Sequence, residues 1–212
     1  MSVPSTIPPP GLPRRAALVA TLAACLLPRP ARAAAAVPEA EAFIARLGER
    51  VAAVRRERDE TARRRQLGAL LDEAADVPLM GRLVLGRHWR ATDEAQRRAY
   101  LDLFRAYCLD GLTARLGGLT GDERVVVTGS APAKGEDSMV STEIIHAAPG
   151  QPPVKMDWRV RRVRGRHKII DVVAEGVSLI VTNRTEFDTI VTRGGIDGLL
   201  AQLRAWRSGS AI

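Results

Sequence analysis

The sequence predicts an α+β fold, with N-terminal helices and two C-terminal helices packed on a curved antiparallel sheet of about four strands. Three observations carry this. The apolar period is 3.6 from Pro38 to Leu116, changes to 2 between Arg124 and Ala174, and returns to 3.6 from Leu179. The strand-like runs are joined by short Pro- and Gly-containing turns, which makes neighbouring strands antiparallel. No fixed-period repeat, long linker or low-complexity tract interrupts residues 34–212, so this stretch reads as one domain.

Pro38 opens the first helix, in which Phe43, Ile44, Leu47, Val51 and Val54 recur at helical spacing. A second helix, Arg63 to Ala75, places Leu67, Leu70, Leu71 and Ala74 on one face. Pro78 begins a short helix through Met80, Leu83 and Val84 that ends near Gly86. Thr92 or Asp93 caps a long helix with the stripe Tyr100, Leu103, Phe104, Tyr107, Gly111 and Leu112, and Gly117 and Gly118 stop it. Strands follow over Arg124 to Gly129, Met139 to Ala147, Val154 to Val163 and Lys168 to Ala174. Two helices close the chain, Leu179 to Thr192, with Ser178 as N-cap, and Gly195 to Trp206.

Residues 1–33 read as an export signal. They hold four arginines and no acid: Arg14 and Arg15 precede the apolar run Ala16 to Leu27, and Ala31-Arg32-Ala33 forms a small-residue cleavage site. Twelve apolar residues are too few to span a bilayer, which takes about 20. The paired arginines fit twin-arginine export and general secretion alike. Leu22-Ala23-Ala24-Cys25 resembles a lipobox that would anchor the chain through Cys25, but the apolar run continues beyond it and the cleavage site lies downstream. The expected location is therefore the periplasm, with a cleaved, unanchored product.

Export changes the meaning of the charge. The full chain of 212 residues carries a formal +8. Without residues 1–33 it keeps 28 basic and 24 acidic side chains, or +4. Residues 153–168 alone hold Lys155, Arg159, Arg161, Arg162, Arg164, Arg166 and Lys168 against Asp157, a local +6. The basicity is one patch on one strand pair, with Lys155, Asp157, Arg159 and Arg161 on the face opposite Val154, Met156, Trp158 and Val160. It suits a partner or a lipid headgroup, with Arg159, Arg161 and Arg164 as its centre, or a solvated strand face. Nucleic acid is disfavoured, because the patch lacks interleaved aromatics and the chain is exported.

Catalytic patterns are missing. His88, His146 and His167 have no metal-ligand spacing, so neither metal nor cofactor is expected. Gly176-Val177-Ser178-Leu179-Ile180 lacks the final glycine of a nucleophile elbow. Cys108 sits mid-helix as a structural thiol, and with one cysteine left after export no intramolecular disulfide forms. The chain reads as a binding protein, not an enzyme.

Two stretches carry a family resemblance. Leu85-Gly86-Arg87-His88-Trp89-Arg90-Ala91-Thr92, with Gln96, Tyr100, Phe104 and Tyr107 behind it, resembles the central signature of the MlaC-like, toluene-tolerance family. Lys168-Ile169-Ile170-Asp171-Val172, then Glu175-Gly176-Val177-Ser178-Leu179-Ile180, Asn183-Arg184, Glu186-Phe187 and Gly194 to Leu200, resembles its C-terminal signature. Thr182-Asn183-Arg184 departs from it, since many members place an aromatic between Asn and Arg. The resemblance implies a monomeric periplasmic carrier that shields phospholipid tails in an internal apolar cavity. It implies shuttling between an outer-membrane lipoprotein complex and an inner-membrane MCE-domain ABC transporter, for outer-membrane lipid asymmetry.

On that basis the apolar strand face supplies Met156, Trp158 and Val160, with Ile170 and Val172 from the next strand and Ile144 from the preceding one. Helices add Leu83, Phe104, Tyr107, Val177, Ile180 and Ile190. A filled core uses the same side chains, so pattern alone does not separate core from pocket. Asn183, Arg184 and Glu186 are expected to hold the loop into the last helices. Two other functions stay open: binding of another apolar ligand, a quinone or hopanoid, and a non-lipid-binding adaptor subunit with a solid core.

Overall fold

The computed structural model describes residues 37–117, 123–146 and 150–208. The expected export signal with Cys25 lies outside them, as does Gly118. Helix α1 (Pro38–Arg55) begins at the expected proline, with Glu39 and Glu41 at its positive end. Helix α2 (Glu60–Ala74) starts earlier than its apolar stripe suggests, because Asp59 Oδ1 accepts from the Ala62 amide at 2.6 Å. Asp76 caps α3 (Val77–Leu85) in the same way. A 3₁₀ segment, Gly86–Ala91, then leads to α4 (Glu94–Gly117). Asp93 is the cap of α4: it accepts from the Gln96 amide at 2.8 Å and its own amide donates to Gln96 Oε1 at 3.3 Å. Thr92 instead donates to the His88 carbonyl.

Five antiparallel strands follow in sequential order: β1 (Arg124–Pro132), β2 (Asp137–Ile145), β3 (Val154–Val163), β4 (Arg166–Ala174) and the two-residue β5 (Val177–Ser178). Two-residue turns with positive φ at both positions join the last three, Arg164-Gly165 and Glu175-Gly176. Register shifts between Val127 and Gly129 and between Arg159 and Val160 bend the sheet. Beyond β4, β5 pairs with Val173 and Ala174, and the Asp76 amide donates to the Ile169 carbonyl at 2.9 Å. The α2–α3 junction thus covers edge that the short β5 leaves open.

Helix α5 (Leu179–Arg207) is broken at Gly195 (φ 65°, ψ −173°), a conformation open in practice only to glycine, and its halves are the two expected C-terminal helices. The core lies between one sheet face, carrying Val127, Val140, Val160 and Ile169, and the helices, with Tyr100, Phe104 and Phe187 fully buried at its centre. Gly81 permits a close approach of α3 to α4, since a Cβ there would stand 3.0 Å from atoms of Leu101 and Phe104. The Tyr100 hydroxyl donates to the Gly81 carbonyl at 2.9 Å, and burial raises its pKa far above the ordinary phenol value.

Candidate functional site

Between the sheet and the helices lies a cavity of about 500 Å³. Its sheet side is Met156 and Trp158 of β3 with Ile169 and Val172 of β4. Helices add Leu47 from α1, Leu70, Leu71 and Ala74 from α2, Met80 from α3, and Phe104, Tyr107, Cys108, Gly111 and Leu112 from α4. Both halves of α5 contribute, Leu179, Ile180 and Asn183 before the break and Leu203 and Trp206 after it. The space stays open because Ala74, Ala75, Cys108, Gly111 and Ala114 stand where a close-packed interior would hold larger side chains.

The polar groups of the wall are satisfied. Trp158 Nε1 donates to Thr142 Oγ1 at 2.9 Å, and Thr142 Oγ1 donates to the Met156 carbonyl. The Tyr107 hydroxyl donates to Asn183 Oδ1 at 3.0 Å, tying α4 to α5. Burial raises the pKa of Tyr107 and pushes the Cys108 thiol up to about 12, so both are neutral at physiological pH. Charge enters the lining only at Asp110, Arg115 and Arg207, and Asp110 is paired with Arg64. A wall made mostly of aliphatic, aromatic and sulfur groups accommodates hydrocarbon. Among the described residues no cluster of His, Cys, Asp and Glu could hold a metal ion, and no helix is long and apolar enough to cross a membrane.

The C-terminal signature builds the wall's support. Asp171 accepts from Ser178 Oγ at 2.6 Å and from the amides of Val172 and Ile180, while Ser178 Oγ accepts from the Val181 amide. Glu175 accepts from the Lys155 amide at 2.6 Å and its own amide donates to the Lys155 carbonyl. Together these contacts pin the start of α5 against β3 and β4. Asn183, Arg184 and Glu186 lie within α5 itself rather than at a loop: Asn183 bonds Tyr107, and Arg184 Nε donates to the Leu83 carbonyl at 2.9 Å.

Of the residues expected at a cavity, Phe104, Tyr107, Met156, Trp158, Val172 and Ile180 are on its wall. The others are elsewhere. The bulge at Arg159 and Val160 pairs Val160 with Ile169, so Ile169 takes the place that unbroken alternation would give Ile170. Val160, 1% exposed, is sealed in the core, and Ile170 is buried away from the cavity. Ile144 shares the Trp158 face but stands at the sheet's far end, opposite Val154. Val177 follows the β4–β5 turn and is 57% exposed, Leu83 lines a different cleft, and Ile190 packs against the core. Sequence reasoning missed Leu47, Leu70, Leu71, Cys108, Leu112, Ile169, Asn183, Leu203 and Trp206. Small residues set into apolar stripes were the available signal.

Three of the seven basic side chains of this strand pair, Arg159, Arg161 and Lys168, are closely engaged internally. Asp137, its side chain fully buried, receives Arg159 Nη2 and Arg161 Nε, each at 2.6 Å. Burial opposes ionisation of Asp137, but the hydrogen bonds from Arg161 and Arg159 outweigh it and hold the carboxyl below the usual aspartate range. Lys168 Nζ donates to the carbonyls of Asp72 and Glu73 at the end of α2, and Arg162 lies 3.7 Å from Glu39. Arg164 is exposed in the β3–β4 turn.

Comparison with known proteins adds two findings. Residues 41–205 match the model of a family described as MlaC protein. The fold is shared with a phospholipid-binding protein from Ralstonia solanacearum, solved in complex with a phospholipid. That match has a TM-score of 0.70 at 22% identity and covers 82% of this chain and 99% of the other.

Proposed function

This chain belongs to the MlaC family, and from that premise we propose that it is a phospholipid-binding carrier that holds acyl chains in the cavity between sheet and helices. It acts in the periplasm after loss of residues 1–33. There it moves lipid between an outer-membrane lipoprotein complex and an inner-membrane MCE-domain ABC transporter, and so maintains outer-membrane lipid asymmetry. The observation that carries the reading is the cavity of about 500 Å³ with a predominantly apolar wall, its charged residues being Asp110, Arg115 and Arg207. That volume lies within the range of roughly 300–1,000 Å³ typical of ligand pockets.

Energetics explain why such a carrier is needed. Two acyl chains hold about 30 methylenes, and at about 0.8 kcal/mol each their exposure to water costs on the order of 24 kcal/mol. A carrier that matches this burial approximately can both load and unload. It needs no covalent step.

The test is mass spectrometry of a solvent extract of the purified protein, with Gly111→Leu alongside. Phospholipid is expected in the wild-type extract. A Cβ at Gly111 would stand 3.0 Å from Arg115 Nη1, so the leucine of Gly111→Leu displaces the flexible end of that side chain, takes up lining space and should reduce the phospholipid to a small fraction, while the lost helix glycine offsets the crowding by up to about 1 kcal/mol. A quinone or hopanoid in place of phospholipid, or a lipid-free protein with an intact fold, overturns the reading.

A further inference from the structure

A second concavity, of about 620 Å³, shares no lining residue with the apolar cavity. It lies between α3 with its 3₁₀ extension and the first half of α5, and it brings together the two signature stretches around Trp89 and Arg184. Its charged residues are Arg82, Arg87, Arg90, Arg184 and the single acid Asp188.

The acid is already engaged. Asp188 Oδ1 lies 2.7 Å from His88 Nε2 and 2.9 Å from Arg87 Nη2. Arg184 is fixed through Nε by the Leu83 carbonyl, which leaves its terminal nitrogens facing no partner among the described residues. Arg82 and Arg90 are exposed and likewise have no acid partner among them. Trp89 is held in place: the Arg97 guanidinium sits 5.1 Å from its ring centroid and donates to its carbonyl at 2.8 Å. On α5, Val181 shares the helix face of Arg184, Thr185 and Asp188 and is 58% exposed.

Three guanidinium groups without a counter-charge among the described residues gain nothing from one another. Together with a fixed tryptophan they form a surface complementary to carboxylates. The site is concave, and a flat headgroup layer would not follow it as an extended side-chain-bearing segment does. Arginine and tryptophan are also the residues that dominate binding energy at protein interfaces. We propose that this cleft docks an acidic segment of a partner protein, with carboxylates on Arg82, Arg90 and Arg184 and an apolar side chain against Leu83 and Trp89. The proposal does not depend on what fills the cavity. Yet α3 and α5 wall both sites, so docking bears directly on the elements that enclose the ligand.

The test is fluorescence anisotropy of the full exported chain with a dye-labelled peptide of alternating glutamate and leucine, and with its lysine counterpart. Anionic phosphatidylglycerol vesicles serve as a second probe, read by co-sedimentation. Saturable binding of the glutamate peptide alone is expected, weakening as salt rises. The double variant Arg82→Glu/Arg90→Glu should lose about tenfold or more in affinity. Arg164→Glu, in the β3–β4 turn, should bind like wild type. Absence of saturable peptide binding overturns the proposal. So does loss with Arg164→Glu but not with the double variant, or vesicle binding without peptide binding that depends on Arg82 and Arg90. Lipid content of the same variants, expected unchanged, keeps this result separate from the carrier reading.

Discussion

The outer face of β3 and the cleft beside α5 are both rich in arginine, but they treat the charge in opposite ways. On β3, Arg159 and Arg161 converge on Asp137, a buried carboxylate that sits across the ladder from Arg161. In the cleft, the one acid is already held by His88 and Arg87, and three arginines have no carboxylate partner among the described residues. Charge density along the sequence marked the first region and passed over the second. The difference shows that a local excess of basic residues says little until internal partners are assigned. Basic groups with no internal partner are the ones available to another molecule.

Removing the centre of the internal network should have the largest effect. Asp137→Ala leaves two arginines facing each other over a buried site and is expected to cost about 2–3 kcal/mol in urea denaturation. This is below the roughly 3–5 kcal/mol of a fully buried pair that loses one partner, because both arginines are about a third exposed. A loss within experimental error would show the two regions to be alike. Next, Arg161→Lys should cost about 1 kcal/mol, since a lysine cannot reproduce the paired Nε and Nη2 bonds to Asp137. An unchanged denaturation midpoint would argue that only the charge matters.

The same site has a pH signature. The folded pKa of Asp137 is depressed, so its stabilisation is complete above the ordinary aspartate value of about 3.9 and is lost as pH falls through the folded value. Wild type should therefore lose stability below about pH 4 more steeply than Asp137→Asn, as read by thermal melts across an acid series. Parallel curves would remove Asp137 from the account of acid unfolding. The smallest effect belongs to the cleft, where Arg82→Glu/Arg90→Glu should change stability by no more than about 0.5 kcal/mol. A larger loss would reveal an internal role there.

The long elements were legible because each buries one face and so imposes a period. The 3₁₀ segment and the two-residue β5 are too short to show one. Strand alternation identified Met156, Trp158 and Val172, and it failed at Ile170 because a bulge shifts the register without any mark in apolar pattern. On α2 and the second half of α5, Leu70, Leu71, Leu203 and Trp206 read as ordinary core positions. What distinguishes a lined space from a filled one is the volume missing opposite them, at Ala74, Ala75, Cys108 and Gly111. That is a property of facing elements, and it becomes visible only when they are brought together. The arginine cleft was hidden for a related reason, since its two halves lie about a hundred residues apart.

Cys108 gives the cavity a chemical clock. With its pKa pushed up to about 12 by burial, the thiol is overwhelmingly protonated at neutral pH, and alkylating reagents react with the ionised form. On the proposed function, an acyl chain in the cavity would exclude water and reagent from Cys108. As the free cysteine of the described residues, it would let the rate of thiol modification follow filling and emptying in the native sequence, without an engineered label.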